Sequence, residues 1–135
     1  MMNPIKFRVW ATHQMFSVRS MTWTDEGKLW EVTARPVKEG HRLHILYPDH
    51  LSESLTLLQF TGVVDKSGRE LYDGDILRHD DSFSLSVVEW DVLGNMWAYA
   101  NEDGFHYPIA GGKMHGSEVV GNRYQNPDLI TWEME

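Results

Sequence analysis

The chain has 135 residues, no cysteine and a formal net charge of −8. That length suits one domain able to bury a core unaided, and the missing thiol excludes disulfide scaffolds, thiolate zinc sites and cysteine nucleophiles. Six tryptophans, five tyrosines, five phenylalanines and a 41% hydrophobic share argue against a disordered chain.

The first expected strand is Ile5–Trp10, where Ile5, Phe7 and Val9 alternate with Lys6, Arg8 and Trp10. Residues 15–23 form the first arm of a hairpin, turning through Thr24-Asp25-Glu26-Gly27 into Leu29–Ala34. Pro36 to His41 is a break, and residues 42–47 resume an extended pattern. Pro48 to Leu55 suits one or two helical turns, with proline and aspartate at the start and Leu51 and Leu55 four apart. Asp65-Lys66-Ser67-Gly68 and Asp73-Gly74-Asp75 are turns, and Asp75 can accept backbone N–H bonds ahead of Ile76. Phe83, Leu85 and Val87 alternate, then Val88 and Trp90 take the opposite parity. That switch predicts a β-bulge or a strand buried on both faces. Leu93-Gly94-Asn95 and Asn101-Glu102-Asp103-Gly104 punctuate two further strands, and Ser117 to Tyr124 reads as a last strand pair around Gly121-Asn122. Short strands at this spacing, with no long amphipathic helix, predict a mainly β fold with a small barrel or sandwich over about residues 59–125 and a β-rich layer before it.

The chain carries no recognisable catalytic or cofactor motif. Asp73-Gly74-Asp75 lacks the further oxygen ligands and closing glutamate of a calcium loop. His41 and His44 stand three apart in an extended stretch, which sends them to opposite faces. His79-Asp80-Asp81 places donors in a row at a strand end, a juxtaposition expected by chance among seven histidines and twenty acidic residues. No Gly-x-Ser-x-Gly elbow exists, His115 near Ser117 has nothing to orient a proton relay, and Gly111-Gly112-Lys113 lacks phosphate-loop spacing. The expectation is no catalytic residue, no metal and no cofactor. Trp97 with Tyr99, and Phe105 with Tyr107, each share a strand face. Such pairs fill a core, or stack on a ligand when exposed.

The acidic balance disfavours a generic phosphate-backbone binder. Lys6, Arg8, Arg19, Lys28, Arg35, Lys38 and Arg42 nevertheless concentrate basic charge near the N-terminus, interleaved with Asp25, Glu26, Glu31 and Glu39. The first residues have no apolar signal-peptide core, and apolar runs fall far short of the ~20 residues that span a bilayer, so a cytoplasmic protein without a membrane partner is expected.

Several segments carry a resemblance. They are Ile5–Trp10, Leu57–Gly62, Asp65–Ile76, Val87–Trp90 and Glu118–Ile130. In this order they resemble the YopX family of phage and prophage proteins, while residues 11–54 and 100–116 match little. Where the family often has an acidic residue after the first strand's tryptophan, this chain has Ala11. The strand pattern predicts one domain over 1–135, with an N-terminal β-rich part (1–58) packed on a C-terminal barrel part (59–135), and the resemblance implies that the C-terminal part is SH3-like. The resemblance also implies a phage origin and a host-cytoplasm setting, and supplies no catalytic residues.

Together these readings predict a non-enzymatic accessory protein that binds a host or phage protein or self-assembles into a homo-oligomer. One alternative is a nucleic-acid-binding barrel. Another is an acidic DNA mimic that inhibits a host protein.

Overall fold

The computed structural model describes residues 5–38, 42–51, 54–82 and 84–134. They fall into two compact units, Lys6–Gln59, and Phe60–Glu135 joined by Ile5. The fold is mainly β, and both sheets are antiparallel.

The first unit contains β1 (Phe7–Ala11), β2 (Gln14–Trp23), β3 (Leu29–Pro36), β4 (His44–Leu46) and the start of β5 (Thr56–Val64), in sheet order β4-β3-β2-β1-β5. Alternation places Val9, Phe16, Val32 and Ala34 in one buried cluster with Ala11 and Leu46. The β2–β3 turn closes as expected: Gly27 N–H donates to the Thr24 carbonyl at 2.9 Å, and Gly27 takes φ +82°. Two register shifts interrupt the β2–β3 ladder, one between Val18 and Ser20 and one between Thr22 and Trp23. Trp30 faces the second irregularity and stays 40% exposed, its ring edge-on to Tyr47 and His50. The helical segment expected after Pro48 is only a single 3-10 turn, Pro48–His50, and Leu51 is already extended. His41 lies outside the described residues, while His44 packs edge-on against Phe16.

In the second unit, Phe60–Val64 of β5 pairs with β6 (Glu70–Tyr72). A five-stranded sheet follows. It comprises β7 (Asp75–His79), β8 (Leu85–Asp91), β9 (Met96–Ala100), β10 (His106–Pro108) and β11 (Ser117–Asn122), in order β10-β9-β8-β7-β11. This order is open. No pairing closes the expected barrel among the described residues, because β10 and β11 are opposite edges. The parity switch in β8 is not a bulge: its pairings to β7 and β9 run without a shift, and Ser86, Val87 and Val88 are all buried. The strand is buried on both faces, Val88 clustering with Leu77, Val119 and Leu71 on one side and Val87 with Ile76 and Ile130 on the other. Phe83 lies outside the described residues.

The last strand pair expected around Gly121 is instead one strand with a bulge, the β7–β11 register shifting between Val119 and Gly121. A side chain at Gly121 would place Cβ 2.5 Å from Asn126 Oδ1, so the bulge needs glycine. Asn126 does not cap the following 3-10 turn, Pro127–Leu129; its Oδ1 accepts the Asn122 N–H at 3.1 Å. No helix among the described residues is long and apolar enough to cross a membrane.

A candidate binding cleft on the five-stranded sheet

Strand alternation and register put Leu77 and His79 of β7, Ser86 and Val88 of β8, Trp97 and Tyr99 of β9, Tyr107 of β10, and Ser117 and Val119 of β11 on one face. Toward the middle this face is apolar and covered, with Leu77, Val88 and Val119 packed on Val63, Leu71 and Ile109. Toward the end of β7 it turns polar and aromatic. His79, Tyr99 and Tyr107 form a row, with ring centroids 4.7 Å apart for the first pair and 5.2 Å for the second. Tyr99 and Tyr107 face each other directly across β9 and β10 and are stacked at 22°. Beside the row lies a cleft of about 250 Å³ lined by His79, Asp81, Ser82, Ser84, Ser86, Tyr99, Asn101 and Tyr107.

His79 is held between two serines. Its Nδ1 bonds Ser117 Oγ at 2.7 Å and its Nε2 bonds Ser86 Oγ at 2.9 Å. Both serines are buried, and neither ring nitrogen meets a carboxylate in these bonds, so no acid orients the imidazole against a nucleophile. Burial pushes the His79 pKa down, and the nearby Asp81 and Asp80 carboxylates oppose that only in part. A neutral ring donates to one hydroxyl and accepts from the other, which satisfies three polar groups at once. Burial, Tyr107 and Asp81 together push the Tyr99 phenol up, so it is neutral too. The sequence places Ser117 beside His115, but the fold brings it to His79 across 38 residues. No local motif signals that pairing.

The other expected positions resolve as follows. His79, Asp80 and Asp81 sit at the end of β7, and no group of three or more His, Cys, Asp or Glu poised for a metal occurs among the described residues. Asp75 accepts the Tyr72 N–H at 2.8 Å, a turn role. Phe105 is exposed beyond β10 and does not join Tyr107 in the row. On the opposite face of the sheet, Arg123 bridges Glu133 at 2.7 Å and Glu89 at 3.3 Å, and Glu89 also meets His106. This network ties Thr131–Met134 to the sheet, and burial raises the pKa of neighbouring Asp73 against the pull of Arg123. In the first unit a separate hollow of about 320 Å³ is lined by Ser17, Val18, Arg19 and Arg35.

No curated protein matches the chain in sequence. Among the solved structures that share the fold are the following two. The crystal structure of protein EF1440 from Enterococcus faecalis superposes with a TM-score of 0.71 at 20% identity, covering 96% of this chain and 99% of that one. The crystal structure of protein yopX from Bacillus subtilis superposes with a TM-score of 0.56 at 23% identity, again covering 96% and 99%. The family model described as YopX protein matches residues 6–131, nearly the whole chain. The chain therefore belongs to the YopX family.

Proposed function

We propose that the protein is a phage or prophage accessory protein that acts in the host cytoplasm by binding, without chemistry of its own. The observation that carries this reading is the aromatic row. Tyr107 is 42% exposed at the edge of a cleft, while the titratable ring beside it is locked by two buried serines. Such a site presents recognition surface and holds no poised nucleophile. Self-association is part of the proposal. β4 is a sheet edge, and Ile45 on it is 56% exposed, which is a surface that a second strand can cover.

One observation favours a second reading, nucleic-acid binding by the first unit. The register shift between Val18 and Ser20 leaves Arg19 out of the ladder, and Arg19 lines a hollow together with Arg35. Two cations at one hollow suit a phosphate.

Sedimentation velocity at two salt concentrations, alone and with a labelled mixed-sequence oligonucleotide, separates the readings. Protein binding and self-assembly predict a defined oligomer that leaves the oligonucleotide free. A salt-sensitive complex with the oligonucleotide, lost in R19A/R35A, puts nucleic acid first. A monomer that recovers no protein from host lysate contradicts the proposal.

A further inference from the structure

We propose that the cleft beside Tyr99 and Tyr107 receives the cationic side chain, arginine or lysine, of a basic partner protein. The inference rests on reading this cleft as the binding surface, and it names the chemistry of the occupant.

Size comes first. About 250 Å³ is below the usual range of pockets for drug-sized ligands, and it suits one inserted side chain. The walls are next. Tyr99 stacks on one face of Tyr107, and Tyr107 still exposes 42% of its surface, so ring surface remains open beside the cleft. A tyrosine face attracts a cation through its quadrupole, and a guanidinium stacks there best because it is planar. Asp81 lines the same cleft and has no ion-pair partner among the described residues, whereas its neighbour Asp80 is held by Lys66 at 2.6 Å. No lysine or arginine lines the cleft, the lining His79 is bonded through both ring nitrogens to buried serines, and the serine oxygens of Ser82 and Ser84 add acceptors.

The charge distribution points the same way. Lys6–Gln59 carries seven basic and six acidic residues, net +1, whereas Phe60–Glu135 carries five basic and fourteen acidic residues, net −9. The formal charge of −8 therefore resides in the unit that holds the cleft. Its field draws a basic partner toward the cleft and repels phosphorylated ones.

The test is a titration of the ¹⁵N-labelled full chain with N-acetyl-arginine amide, and with the uncharged N-acetyl-citrulline amide of nearly the same shape. Saturable amide shifts are expected around residues 79–82 and 99–107 with the arginine compound. Citrulline amide binds at least about fivefold more weakly, as does arginine amide to Asp81→Asn and to Tyr107→Ala. Both substitutions fall on exposed side chains, and the spectra report whether the fold is retained. Equal binding of the two compounds overturns the cation assignment and leaves the cleft a binding site. Shifts spread over the acidic surface and unchanged in both variants, or no saturable shift, overturn it as well. The binding-module reading itself then stands or falls on the sedimentation and lysate experiments.

Discussion

Asp65 is a buried charged residue of the second unit, 1% exposed. Its Oδ1 accepts the N–H groups of Ser67 and Arg69 at 2.9 and 2.8 Å, and its Oδ2 accepts that of Val119 at 2.9 Å. One carboxylate thus closes its own turn and fixes β11 from 54 residues away. Burial opposes its ionisation, but the three N–H donors and Arg69 hold its carboxyl below the usual aspartate range. Asp65→Asn replaces one acceptor by a donor: even with the amide oxygen kept toward Ser67 and Arg69, its NH2 then faces the Val119 N–H, and the change is expected to cost about 2–3 kcal/mol in denaturant unfolding. Because the folded pKa is depressed, this stability is present above the ordinary aspartate value and is lost as pH falls through the folded one. His79 also loses stability toward acid. The folded ring binds its proton less tightly than the unfolded one, so stability falls as pH drops below the ordinary histidine value of about 6.5. Thermal melts from pH 8 to pH 5 check this: Ser86→Ala and Ser117→Ala, which leave a ring nitrogen unpaired, are each expected to cost about 1–3 kcal/mol at pH 8.

At the scale of elements, Gly121 sits at the bulge within β11. Gly121→Ala drives Cβ into Asn126, whose Oδ1 holds the Asn122 N–H. The expected loss exceeds about 1 kcal/mol, with faster amide exchange at Asn122 as its local signature. Gly74 is constrained twice over, by φ +87° and by Tyr124 Cε2 at 2.8 Å from where a Cβ would stand. Turn chemistry and strand alternation are local, which is why the Gly27, Gly68 and Asp75 turns and the β1 to β3 strands were legible in the sequence. Pairing order is not local. A barrel and an open sheet share the same strand lengths and turns, so the opposite edges β10 and β11 carry no signature in the chain. For the same reason the aromatic pair Trp97 and Tyr99 was legible as one face, while the Tyr99–Tyr107 stack and the His79–Ser117 bond needed the register between strands. The β8 parity switch was readable only as two alternatives, and double-sided burial decided between them.

At the scale of the whole molecule, the sequence sum of −8 conceals a division into a nearly neutral unit and a strongly acidic one. The acidic balance argues against phosphate binding for Phe60–Glu135 and says little about Lys6–Gln59, where Arg19 and Arg35 line a hollow. Family membership fixes the fold, and the aromatic cleft is where the account places recognition. The most direct measurement is affinity capture from host lysate at low and high salt, with wild-type protein and folded Tyr107→Ala side by side. The expected result is a basic protein that wild type retains at low salt, that salt releases, and that Tyr107→Ala fails to hold. Identical capture by both proteins would contradict the assignment of binding to this cleft.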